Sequence, residues 1–319
     1  MSDVLEKRVS SDVDTSGETL VSDALKALKD ILLGREEEIK LTLAAFLADG
    51  HVLLDGVPGV GKTVFAEAIA RIMGLEFARV QFTSDLLPAD LIGASIYDAA
   101  SSGFSFHKGP VFTEILLIDE INRAGPKAQS ALLEAMAEKQ VSQDGESYPL
   151  SDFFFTIATR NPGQQLGTFP LPEAQLDRFL LRLELGYPDR ETELELLSLG
   201  GRKKALVDLE PITDPKSIIT FRETVTQLFV AEPILNYVRD ILDYTRTGQR
   251  YLNGLSSRAG LSILALARVW GWMDGRDHVI PSDVQAILPS VIDHRLVPYG
   301  ERDTGRSQGQ KIIEAVPVP

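Results

Sequence analysis

The 319-residue chain contains no cysteine. Disulfides, zinc–thiolate centres and thiol nucleophiles are therefore excluded. Histidine is scarce: His51, His107, His278 and His294 are scattered, with no spacing that suits a metal. Cations are outnumbered, with 32 Lys and Arg against 46 Asp and Glu and a formal net charge of -14. That balance disfavours a nucleic-acid backbone as the main partner, because such proteins present many basic side chains. No apolar run approaches the roughly 18 residues of a membrane span. The stretch MSDVLEKRVSSDVDTSGE lacks the apolar core of a signal peptide, so a cytoplasmic protein is expected.

What remains is ordinary globular composition, 44% hydrophobic and 24% charged, on a chain long enough for one large or two modest domains. Residues 1–18 are polar and read as a flexible tail. From Leu20 the apolar positions recur at helical steps (Leu25, Leu28, Ile31, Leu32), and EEIKLTLAAFLADG predicts a second helix. Five short apolar runs follow: VLLD (52–55), FARVQF (77–82), ILLID (115–119), FFFTIAT (153–159) and FLLRLEL (179–185). Near-continuous apolar strands alternating with helical stretches predict a parallel sheet covered on both faces. After GYPDRETE (186–193) the strand signals stop, and helices are predicted near 190–199, 216–229, 233–247, 257–273 and 282–292. The stretch 301–309 reads as a loop. The expected division is an α/β domain at 19–187 and a smaller all-helical domain at 188–319.

GVPGVGKT (56–63) lies between a predicted strand and a predicted helix and fits G-x-x-x-x-G-K-[ST]. Phosphate oxygens must be wrapped by backbone N–H groups, which leaves no room for bulky side chains. Gly59 and Gly61 permit the tight loop. The helix starting near Lys62 points free amides at the anion. Lys62 reaches the β- and γ-phosphates, and the Thr63 hydroxyl ligates Mg²⁺. Chance produces this pattern in about one chain in a hundred, before the strand and helix are counted.

ILLIDEINRA (115–124) is an apolar strand ending in two carboxylates. Beside a phosphate loop, Asp119 is the expected Mg²⁺ partner. Glu120, expected on the other side of the pleat, is placed to deprotonate the attacking water. FTIATRNP (155–162) ends a strand in Asn161, whose amide can hold that water or sense the γ-phosphate if the strand lies between the other two. A turn residue before proline is the competing reading. PLPEAQLDRFLLRLEL (170–185) sets Asp177 and Arg178 inside an apolar run. Alone, it suggests an ion pair at the end of a buried strand.

GVPGVGKT, LLIDEINRA, IATRNP, PLPEAQLDRFLL and GLSSRAGLSIL occur in the order seen in AAA+ ATPases. Their wording resembles the MoxR family. VQFTSDLLPADLIGAS (80–95), FSFHKGPVFTEILLIDEINRA (104–124) and VPVP (316–319) are similar too, so the resemblance spans about 20–319. It implies an AAA+ P-loop NTPase core with a five-stranded parallel sheet, then a helical lid, assembled as a ring of six. It implies Mg²⁺-dependent hydrolysis of ATP to ADP. The implied nucleotide contacts are Gly34, on the adenine side, and Gly56, Pro58, Gly59, Val60, Gly61, Lys62, Thr63 and Val64. Thr63 and Asp119 would hold the metal. Glu120 pairs with Asp119 as Walker B, Asn161 matches sensor 1, Arg178 matches the arginine finger and Arg258 the sensor 2 arginine, reaching down from the lid. With Arg178 so matched, Asp177 is expected to hold it between turnovers. Arg123 is a further arginine that could face a neighbour.

The resemblance further implies two hairpin inserts, at 94–109 and 140–151, that face a pore or a client. It implies a chaperone-like role on protein clients with a von Willebrand factor A domain partner. Two alternatives share the architecture: a chelatase-type subunit driving metal insertion, and a nucleic-acid motor of the RuvB- or MCM-like groups. The hairpins disfavour the motor, since Lys108 is their one cation against Asp98, Asp144 and Glu146. Arg160 and Ser257 depart from the usual residues of the family.

Overall fold

A computed structural model describes residues 16–98, 103–161, 167–199, 203–300 and 307–319. Nine strands occur among them: β1 Val52–Asp55, β2 Phe77–Gln81, β3 Gly93–Asp98, β4 Gly103–Lys108, β5 Ile115–Asp119, β6 Gln140–Gln143, β7 Glu146–Pro149, β8 Phe155–Arg160 and β9 Leu181–Glu184. Five of them form one parallel sheet in the order β2-β5-β8-β1-β9. The fold is therefore the expected α/β type, with all five expected strands in it. β8 lies between β5 and β1, which meets the condition placed on Asn161.

The central strands β5, β8 and β1 are dry on both faces and near-continuously apolar, whereas the edge strands β2 and β9 alternate, with Arg79, Gln81, Arg182 and Glu184 as their polar positions. In β1, Val52 and Leu54 join one apolar core while Leu53 joins the other. In β5, Ile115 and Leu117 face the first core, Leu116 and Ile118 the second. The first core takes in helices Gly17–Leu28, Glu36–Leu47 and Lys62–Ile72, and continues into the later helices through Ile263, Leu266, Ile287 and Val291. The second is closed by Pro126–Glu138, through Ala128, Leu132 and Met136.

Beyond β9 the described elements are helical: Arg190–Leu199, Lys203–Val207, Pro215–Thr226, Glu232–Arg246, Ser257–Met273, Pro281–Ile292 and Gln308–Ala315. The N-terminal helix packs on this group, not only on the sheet. A Cβ on Gly17 would stand 2.3 Å from the Trp272 carbonyl oxygen, so only glycine allows that approach.

Three expectations need correction or limits. The first helix starts at Gly17 with Ser16 as its cap, two residues inside the expected tail; residues 1–15 lie outside the described residues. Of the expected loop 301–309, Gln308 and Gly309 open a helix capped by Ser307, and 301–306 lie outside. That helix escaped notice because it is eight residues long and begins Gln-Gly, yet Gly309 closes against the backbone of Pro289. Both inserts are antiparallel hairpins, β3–β4 and β6–β7. The turn of the first (99–102) and Pro162 lie outside the described residues.

Candidate functional site

The phosphate loop leaves the C-terminal end of β1. Gly59 and Gly61 have φ of +88° and +91°, a region L side chains rarely adopt. Gly61 caps the helix Lys62–Ile72, which aims its first amides at the loop. Lys62 Nζ donates to the carbonyls of Gly56 and, at 3.1 Å, Val57. Burial lowers the pKa of Lys62, against the opposing pull of Asp119, Glu120 and Asp55.

Asp119, at the end of β5, is 6% exposed. Its Oδ2 accepts from Thr63 Oγ1 at 3.5 Å and from Arg79 Nε at 2.7 Å, and its Oδ1 from Thr159 Oγ1 at 3.3 Å. Glu120 is not on the pleat as expected. It has left the strand in a left-handed conformation, φ 57° and ψ 56°. Its carboxylate accepts from Gln81 Nε2 at 3.0 Å and Arg123 Nε at 2.9 Å. Arg123 thus touches its own subunit's Walker B pair. Asn161 is buried at the end of β8, between the ends of β5 and β1.

Arg160, the unusual neighbour of Asn161, is explained by Asp55. The Asp55 carboxylate is fully buried and accepts Arg160 Nε at 2.9 Å, Arg160 Nη2 at 2.5 Å and Arg182 Nε at 2.7 Å. The triad ties the ends of β8, β1 and β9 together just before the phosphate loop. A second cleft, of about 480 Å³, is lined by Ile31, Leu32, Leu33, Val64, Tyr187 and Leu196, with Pro58, Gly59, Val60 and Gly61 at its edge. Gly34 sits between two lining residues, Leu33 and Arg35, with φ +64°.

The two remaining arginines are elsewhere. Leu180 N–H donates to His51 O at 2.8 Å, and Leu181 pairs with Val52, so Arg178 stands at the N-terminal end of the sheet. The phosphate loop is at the C-terminal end, the length of a four-residue strand away, about 13 Å. Arg178 Nη1 donates to Leu133 O at 3.0 Å. It does not pair with Asp177: that carboxylate accepts Arg295 Nε at 2.7 Å. Arg258 is exposed in the first turn of Ser257–Met273. It lines a recess of about 410 Å³ with Gly50, His51, Arg178, Lys139 and Arg295, and no phosphate-loop residue lines it. The structure therefore brings Arg258 to Arg178, and not down onto its own subunit's loop.

Sequence reading missed Arg79, Gln81, Thr159, Asp55, Arg182 and Arg295. The first two had a signal: two apart on one strand, they share a face, and the β2–β5 register sets Gln81 opposite Asp119. The others act through pairings that only the assembled fold brings together.

The chain is similar to known proteins over most of its length. The model of the ATPase family associated with various cellular activities (AAA) matches residues 51–181, and the AAA lid domain model matches 244–316. Chaperone MoxR1 of Mycobacterium tuberculosis is 41% identical over 283 residues, 86% of this chain and 74% of that protein. Protein MoxR of Methylorubrum extorquens is 30% identical, covering 90% of this chain and 92% of that one. A solved crystal structure of a proposed ATPase from Cytophaga hutchinsonii is 33% identical, covers 95% of this chain and 96% of that one, and superposes with a TM-score of 0.86. The chain belongs to the MoxR family of AAA ATPases.

Proposed function

We propose that the protein is a ring-forming, Mg²⁺-dependent ATP hydrolase in which each site is completed by a neighbouring subunit. The observation that carries this is the separation of the phosphate loop from two arginines at the opposite end of one sheet. The phosphate loop, Asp119, Glu120 and Asn161 stand at the C-terminal end, and Arg178 and Arg258 at the N-terminal end. Arginines so far from their own loop are useful to phosphoryl transfer only if they serve another copy. A six-membered ring is the closed arrangement the family resemblance favours.

Thr63 and Asp119 fit a magnesium ion: both offer hard oxygen donors within 3.5 Å of each other. Among the described residues no cluster of three or more His, Asp or Glu could cage a metal alone, as suits an ion that keeps phosphate and water ligands. Thr63 and Asp119 would hold the ion, which would supply positive charge against that of the phosphates. Lys62 exchanges its loop carbonyls for phosphate oxygens. Glu120 takes a proton from the attacking water, and Asn161 orients that water or the γ-phosphate. Arg178 of the neighbour neutralises charge that develops in the transition state, with Arg258 beside it. The apolar cleft near Gly34 takes the adenine.

The work done is assigned to protein clients, with a von Willebrand factor A domain protein as partner and the cytoplasm as compartment. The first hairpin supports a protein client: Ile96, Tyr97 and Phe104 are 52%, 55% and 76% exposed, where a nucleic-acid motor would present cations. The test is Glu120→Gln. It should still bind ATP and assemble but hydrolyse roughly 10²–10⁴ times more slowly. Undiminished phosphate release would end the reading.

A further inference from the structure

We propose that Arg295 is a positioning residue for Arg178, through which the arginines offered to a neighbour move as one body with the lid of their own subunit. The proposal rests on Arg178 acting on a neighbour's nucleotide. Arg295 follows the helix Pro281–Ile292, and its side chain is 5% exposed. All three of its nitrogens are engaged. Nε donates to Asp177 Oδ1 at 2.7 Å, Nη2 to Phe179 O at 2.8 Å and Asp177 O at 3.5 Å, and Nη1 to Leu180 O at 3.2 Å and to Val291 O. Four of those five acceptors lie in residues 177–180. The adjacent lid residue, His294, reaches the same segment, with Nε2 at 3.1 Å from Phe179 O.

This clamp has a physical reason. Residues 177–180 leave the short helix Glu173–Leu176 before β9 begins, so their carbonyls lack sheet partners on both sides. A guanidinium is a planar fork of fixed geometry, so it fixes several carbonyls at once, as an ammonium cannot. Arg178 lies inside the clamped segment with its own side chain directed to Leu133 O. Arg258 lines the same recess, on a helix packed against Pro281–Ile292. Asp177 offsets part of the charge that three arginines and Lys139 bring together there. A displacement of about 1 Å in such a group costs up to roughly 10² in rate.

The test uses the full chain with Arg295→Lys, which keeps the charge and loses the fork, and Asp177→Asn, which keeps the shape and loses the charge. Thermal melting confirms that each folds. Binding of a fluorescent ATP analogue and KM should stay at the parent values while kcat falls roughly ten- to hundredfold. Adding either substitution to Arg178→Ala should cost nothing beyond the loss that Arg178→Ala causes alone. In rings mixed with Lys62→Ala subunits, the Arg295→Lys subunit should regain turnover, because its own loop is intact and the neighbour supplies a correctly held arginine. A lid or folding defect would stay with the variant's own loop and would not be rescued. If Arg295→Lys melts too low to assay, Asp177→Asn decides the matter. Full kcat in these variants, additive loss with Arg178→Ala, or no rescue overturns the positioning role. Full turnover in Arg178→Ala alone would instead overturn the underlying reading of Arg178.

Discussion

The two ends of the sheet are built on different principles. At the C-terminal end, catalytic groups come from contiguous motifs, and each is already paired inside the subunit: Lys62 with loop carbonyls, Asp119 with Arg79, Glu120 with Gln81 and Arg123. At the N-terminal end, Arg178 and Arg258 come from segments eighty residues apart, and the lid holds the segment that carries one of them. One end can bind and wait. On the function proposed above, the other acts on a nucleotide outside the subunit. If hydrolysis needs both ends, as proposed, it cannot run in a lone copy, and turnover depends on assembly.

The largest expected effect breaks the comparison at Arg178. Arg178→Ala should lower kcat by about 10³–10⁵ while leaving nucleotide affinity near the parent value. Mixed with Lys62→Ala subunits, it should recover part of the activity, because each variant then supplies the end the other lacks. Equal losses of binding and turnover, without rescue, would place Arg178 in the structure of its own subunit and merge the two ends.

The same contrast decides what could be read in advance. The phosphate loop was legible because backbone wrapping of phosphate demands glycines and a lysine at fixed spacing; Asp119 was legible as the end of an apolar strand, but the left-handed turn that takes Glu120 off the pleat was not. The central strands were legible because a strand dry on both faces needs an apolar run. Arg178 was legible as an anomaly, a charge in an apolar segment, but its partner was not. Asp177 is its neighbour in sequence, yet the pair that forms is Asp177 with Arg295, 118 residues away. Spacing could not show that, because adjacent residues before a strand point apart. Arg160 departs from family wording and is one of two arginines paired with the buried Asp55 carboxylate. The side of the molecule to which Arg258 belongs depends on lid packing, which no local pattern encodes.

Acid should loosen the arginine end. His51 is buried beside it, just before β1. Its Nδ1 accepts the Thr156 N–H at 3.0 Å, and Nε2 lies 3.3 Å from Met136 O. Burial lowers its pKa to about 4, with the Met136 carbonyl and Asp49 opposing, and Lys139 and Arg222 assisting. A neutral ring in the fold and a normal ring in the unfolded chain mean that the unfolded state binds the extra proton. The His51 contribution is whole above about pH 6.5 and is lost as the pH falls towards 4, about 3 kcal/mol in all. His294 is shifted the same way by burial and by Arg295. Urea unfolding from pH 7 to pH 4 should show stability falling in that window, with a shallower slope in His51→Gln. An unchanged slope in that variant would remove His51 from the account and leave His294 to carry the acid response of this end.

The smallest effect expected is at the other end, and it asks whether the resting pairs there restrain chemistry or prepare it. Gln81 Nε2 is 3.0 Å from the Glu120 carboxylate and 3.3 Å from Asp119 O, on the strand that also sends Arg79 to Asp119. A carboxylate engaged by Gln81 and Arg123 must give up a contact before it can take a proton from water. Gln81→Leu keeps the bulk and removes one donor. An exposed hydrogen bond of this kind is worth about 1 kcal/mol, so basal hydrolysis should rise about fivefold in steady-state phosphate release. A fall of similar size would mean that Gln81 aims Glu120 at the water. In that case the C-terminal end would be set for catalysis before any neighbour arrives, and the neighbour's arginine alone would mark the difference between a silent subunit and an active one.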